Sequence, residues 1–194
     1  MYRNTIITGL LTGLLMISAM PASASFHLWD INELYSNADG SVQFVEFSTL
    51  ANGQQFLKTG GATLNSINNT ATVNHLFSFP NDLPGATANK FFLVGTAGLA
   101  TATGGVTPDY TVPDGFLFNA GGKLDFGPGA DILTYGALPA GGSLSLNRDG
   151  TTGVNSPTNF SGLTGSIVPL PAAAWLFASG MSALLAVARR KRQV

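Results

Sequence analysis

The sequence predicts an all-β protein, and three observations carry that reading. No stretch between residues 25 and 168 sustains a 3.6-residue apolar period. That same body holds twenty-one of the chain's 24 glycines, which argues against long helices. Its apolar residues come instead in runs of strand length, parted by Gly, Asn, Asp and Pro. About eight short strands in this length favour a β-sandwich. Two apolar segments flank the body, and each predicts a helix: a signal helix at the start and a membrane-spanning helix at the end.

Residues 1–24 have the three parts of a secretory signal. Arg3 gives a short positive region, 5–20 a largely apolar core, and Ala22-Ser23-Ala24 a small-residue site with cleavage expected after Ala24. Within the body, 26–35 is rich in aromatic and branched residues and 42–47 reads Val-Gln-Phe-Val-Glu-Phe; the turn 36–40 between them predicts a hairpin. Asn52-Gly53 precedes a short strand over 54–57, and 72–79 alternates until Pro80 begins a turn. The continuous run 90–95, Lys-Phe-Phe-Leu-Val-Gly, suits a strand buried on both faces. Residues 97–108 are small and Gly/Thr-rich and predict a surface loop. A second hairpin is expected from 115–118 and 123–126 around Asn119-Ala120-Gly121-Gly122, followed by strands over 131–135 and 143–146. A domain is thus expected over 25–146. From 147 to 167, Gly, Thr, Ser, Asn and Pro predict a spacer.

The end of the chain is the most specific stretch. Val168-Pro169-Leu170-Pro171 comes first, because proline is confined to the entry of a helix. The uncharged run 172–188 would make a helix of roughly 26 Å, near the lower limit for a bilayer span. Arg189, Arg190, Lys191 and Arg192 close it, and the positive-inside bias places them in the cytoplasm and the body outside.

The order of short motif, apolar helix and basic stop in 168–194 resembles the PEP-CTERM sorting signal processed by exosortases. Leu170 stands at the position of the name-giving Glu, like the family's Val-Pro-Leu-Pro variant. The resemblance implies a membrane exosortase as processing partner, transient anchoring in the inner membrane, and delivery to the cell surface or a polysaccharide matrix. A sortase signal would need Leu-Pro-x-Thr-Gly, which Leu170-Pro171-Ala172-Ala173-Ala174 is not. A permanent, uncut anchor is the alternative. The body also resembles a lamin-tail-like domain. Ile31-Asn32-Glu33-Leu34-Tyr35 followed by Gln43-Phe44-Val45-Glu46-Phe47 is similar to its opening pair of strands. Phe92-Leu93-Val94-Gly95, Gly122-Lys123-Leu124-Asp125-Phe126, 130–136, 142–146 and Asn155-Ser156-Pro157-Thr158 are similar to later parts. That resemblance implies an immunoglobulin-like sandwich, with structural glutamates and a structural or binding role.

Charge and composition exclude several functions. The body carries four basic residues against ten acidic ones, a formal charge of −6, so nucleic acid and anionic lipid are not expected partners. With no cysteine, the domain has neither disulfides nor a thiolate zinc site. Asn37, Asp39 and Glu46 fall on the third, fifth and twelfth positions of a calcium loop, but Tyr35 occupies its first. A hairpin turn accounts for them without metal, and no cofactor is expected. Glu33 and Glu46 could form a carboxylate pair for glycosidase chemistry if a sugar-sized cleft held them. His27 and His75 lack metal-ligand spacing, no Gly-x-Ser-x-Gly elbow exists, and no enzyme is predicted. Trp29, Phe44, Phe47, Phe91 and Phe92 could stack on sugar rings if they face solvent, and extracellular polysaccharide is a candidate partner. Loops 81–89 and 97–109 are further candidate sites for a sugar- or calcium-binding module.

Overall fold

The computed structural model describes residues 26–139 and 142–168, together with Phe177 and Met181. The expected signal helix with Ala22 and Ala24, the motif residues Pro169, Leu170 and Pro171, and the basic stop from Arg189 to Arg192 lie outside the described residues. So does nearly all of the expected membrane helix.

Among the described residues the chain is all-β, with two sheets. In order come β1 (Asp30–Ser36), β2 (Gln43–Thr49), β3 (Thr63–Asn68), β4 (Asn74–Ser78), β5 (Lys90–Thr96), the short helix α1 (Ala97–Thr101), β6 (Tyr110–Val112), β7 (Gly122–Phe126), β8 (Asp131–Tyr135), β9 (Leu144–Asn147) and β10 (Thr152–Val154). The larger sheet has the order β10-β9-β1-β2-β5-β6 and the smaller β4-β3-β7-β8. Every pair is antiparallel except β5 with β6, which α1 and the following loop join as parallel neighbours.

The core lies between the sheets. Phe47 stacks on Phe92 at 4.4 Å within the larger sheet and reaches Phe126 of the smaller at 4.9 Å. Trp29 meets Phe92 edge-on at 4.7 Å, and its indole N–H donates to the Gln54 carbonyl at 2.8 Å, so its polar atom is satisfied. The hairpin β1–β2 contains one extra residue: Ile31 pairs with Phe47 but Glu33 with Glu46. This bulge at Asn32 lets Ile31 and Leu34 both enter the core despite their three-residue spacing.

Several expectations need correction. The strand expected over 54–57 does not form, because Gln54 and Gln55 spend their polar groups on the entry of β1 and on turns. No hairpin joins 115–118 to β7, since β3 and β8 take both of its edges. The segment instead buries Phe116 and Leu117, with the Leu117 N–H on the Gln43 side chain at 2.9 Å. Strands β3 and β6 and helix α1 were not expected. The spacer expected over 147–167 is part of the fold: β10 extends the larger sheet, and Phe160 and Ile167 are buried in apolar clusters. Val154 and Leu163 stay exposed, so two buried apolar side chains hold this segment together with backbone pairing and bonds from side-chain amides and carboxylates.

Candidate functional site

The outer face of the larger sheet carries Glu33 and Glu46, the two glutamates that the sequence singled out. On β2, Val45 and Phe47 belong to the inter-sheet cluster, so alternation places Phe44, Glu46 and Ser48 on the opposite face. There Phe44 joins Tyr35, Leu93, Leu99, Val106 and Ile167 in a second apolar cluster. Tyr35 and Phe44 stack at 5.5 Å. Helix α1 and the C-terminal segment 155–168 cover this part of the face.

Glu33 and Glu46 sit directly opposite each other in the register of β1 and β2, and both are buried. They hold the covering segment. Both Glu33 oxygens accept from Ser156, from its backbone N–H at 2.9 Å and its hydroxyl at 3.0 Å. Glu46 accepts from the Thr158 N–H at 2.7 Å and from the Asn32 amide at 2.7 Å. The bulge thus supplies the fourth donor. Burial, with the Glu33 charge added, pushes the Glu46 carboxyl up to about 7 against the pull of its hydrogen bonds.

Other clamps extend the pattern. Asp109 accepts from the Leu93 N–H of β5 at 2.8 Å and from the Phe160 N–H at 2.9 Å, and burial raises its carboxyl. The Asn155 amide donates to the carbonyls of Ser143 and Ile167, while its oxygen accepts from the Ile167 N–H at 2.5 Å. Ser166 and Val168 donate to the carbonyls of Gly104 and Thr103 at 2.8 and 3.0 Å. Gly165 and Gly104 are pressed together so closely that a Cβ on either would strike a backbone oxygen of the other segment. The first residue of the Val168-Pro169-Leu170-Pro171 motif is therefore tied to the body.

The proposed calcium ligands are not brought together. Asp39 accepts from the Ser41 N–H and hydroxyl, and Asn37 from the Val42 N–H, closing the β1–β2 turn. Glu46 lies three residues along β2 from the strand's start and is committed to Asn32 and Thr158. Among the described residues, no cluster of three or more acidic or histidine side chains converges on a common point. The two glutamates meet, but four protein donors occupy their oxygens under the covering segment. As arranged, the pair is a clamp. His75 contacts the Phe116 carbonyl and stacks on Phe118 at 4.7 Å, whereas His27 lies beside Phe26. In loop 81–89, Asp82 closes onto the Thr59 N–H and hydroxyl.

Of the five aromatics that could meet a sugar, Trp29, Phe44, Phe47 and Phe92 are buried, and Phe91 remains half-buried on the outer face. Asn155, Asp109 and Gln43 are working residues that sequence reasoning missed as clamps. Only Asn155 carried a signal, as the head of Asn155-Ser156-Pro157-Thr158. No protein-family model, curated protein or solved structure matches the chain.

Proposed function

We propose that this is an exported bacterial protein of the cell surface or extracellular matrix, a substrate of exosortase sorting, whose domain has a structural or adhesive role. The observation that carries the sorting is the string Val168-Pro169-Leu170-Pro171, an uncharged run over 172–188, and Arg189-Arg190-Lys191-Arg192. In this reading the signal peptide directs export and the apolar run halts in the inner membrane with the basic residues inside. The exosortase then cuts near 168–171 and passes the acidic domain outward. The chain is the substrate, and the chemistry belongs to the processing enzyme.

For the domain, the reading is an immunoglobulin-like, lamin-tail-like sandwich without catalytic machinery. It is supported by the use of Glu33 and Glu46 as clamps on the Asn155-Ser156-Pro157-Thr158 segment, at the positions where that pattern places structural glutamates. Mass spectrometry of the protein from the native surface and medium tests the sorting. The expected C-terminus lies near 168–171 and is lost when the exosortase is deleted. An intact Val194 in the membrane fraction would instead make the tail a permanent anchor.

A further inference from the structure

At one end the C-terminal segment leaves the outer face uncovered. There Asp30, Ser48 and Phe91 stand opposite one another on β1, β2 and β5, a row across three strands. With Asn32, Asn89 and Lys90 they line a groove of about 360 Å³. Phe91 is half-buried and belongs to neither apolar cluster. Around it, among the described residues, the Ser48 hydroxyl, the Asn32 side-chain oxygen and the Asn89 amide make no hydrogen bond to the protein. Asp30 has only a loose 3.7 Å contact with Arg148, and the Lys90 ammonium lies 5.5 Å above the Phe160 ring. Asn89 holds a left-handed backbone, φ 54°, at the groove's margin.

We infer that this groove binds a neutral glycan, with a pyranose ring on Phe91 and its hydroxyls shared among Asp30, Asn32, Ser48 and Asn89. A pyranose has an apolar C–H face and hydroxyls that both donate and accept. It matches an aromatic floor with donors and acceptors about it and the exposed Leu50 at the rim as a second apolar surface. The volume suits one or two sugar units and is of small-ligand size. A peptide strand has no counterpart here, because β1, β2 and β5 already pair with one another and offer no edge to the groove. An acidic glycan would meet Asp30 and a body of formal charge −6, with Lys90 as the only cation in the lining. The inference rests on the adhesive part of the function proposed above and gives it a ligand class.

The test is amide NMR of the full-length, isotope-labelled chain in micelles of a detergent without a sugar headgroup, titrated with cellohexaose, mannohexaose and a hexauronate. A neutral hexaose should give saturable shifts at Asp30, Ser48, Asn89 and Phe91. Phe91→Ala should weaken binding about tenfold. Asn89→Gly, which relieves the left-handed backbone while removing the amide, should weaken it with the fold retained. Shifts confined to other surfaces, none with either neutral hexaose, a response to the hexauronate alone, or unchanged binding by folded Phe91→Ala would each overturn the assignment. The C-terminal mass measurement is independent, so loss of the glycan site and loss of the sorting reading are told apart.

Discussion

Glu46 is ionised in an unfolded chain at a pH where the folded domain still keeps its proton. Its folded carboxyl titrates at about 7, raised by burial and the Glu33 charge, against 4.5 for the free side chain. Between these values the folded state binds more protons than the unfolded one, so stability is fully present below about pH 4.5 and declines as pH rises towards 7. The loss over that window is on the order of 3 kcal/mol. Glu46→Gln cannot ionise and should flatten this part of the urea-unfolding profile between pH 5 and 8. An unchanged slope would assign the dependence elsewhere. A second buried carboxyl behaves in the opposite way. Burial alone would raise Asp131, but two hydrogen bonds from Arg148, at 2.6 and 2.8 Å, and the Ile31 N–H at 2.7 Å hold it below the usual range. Asp131 thus caps an N–H at the bulged strand and joins β8 to β1. Asp131→Asn should cost about 2 kcal/mol, discounted from a fully buried pair because Arg148 is 42% exposed. A loss under 0.5 kcal/mol by equilibrium denaturation would contradict that role.

At the level of elements, legibility follows how a strand is stabilised. Strands β1, β2, β5, β7 and β8 were readable because apolar or aromatic side chains alternate or run together in them. β3 reads Thr-Leu-Asn-Ser-Ile-Asn, and only Leu64 is a large residue directed into the core, so its pattern was too sparse. β10 is three residues with a central glycine and exists because β9 offers an edge. The segment 155–168 was hardest of all. Its place is set by distant partners, Glu33, Glu46, Asp109 and Thr103, that no local window contains. Among the candidate-site residues, the pairing of Glu33 with Glu46 was legible from their strands, but the segment over them was not. Asn155 is the hinge of this arrangement, since its amide serves both the N–H and the carbonyl of Ile167. Asn155→Ala should cost about 2–4 kcal/mol by leaving buried backbone groups unpaired. Hydrogen exchange at Ser166 and Val168 should accelerate while β2 and β5 stay protected. Equal exchange in Asn155→Ala and the unaltered chain would show that the segment does not depend on the Asn155 clamp. Should the tail be cut as proposed, the same variant should be processed faster, because Val168 must leave Thr103 before an extended chain can enter an active site.

On the scale of the whole molecule, the sheets are closed by contacts that are remote in sequence, and the last of them come from the end of the body. Phe160 belongs to the inter-sheet cluster, Ile167 to the outer one, and the two buried glutamates need Ser156 and Thr158. A domain ending at residue 146, the boundary suggested by composition, would leave Tyr35, Phe44 and Leu93 without Ile167, covered only by Leu99 of α1 and Val106. It would also leave Glu33 without its two Ser156 donors and Glu46 with only Asn32. Unpaired buried carboxylates and a partly stripped apolar cluster act in the same direction. The chain from 25 to 146 should therefore fail to unfold cooperatively and should bind a hydrophobic dye at neutral pH, whereas 25 to 168 should show one sharp transition. Phe47→Ala in the longer form should lower that transition by about 3–5 kcal/mol through loss of the ring shared by both sheets. If the shorter chain melted as sharply and as high as the longer one, residues 147–168 would be a dispensable covering. The glutamate clamp would then serve only to position the chain that follows residue 168.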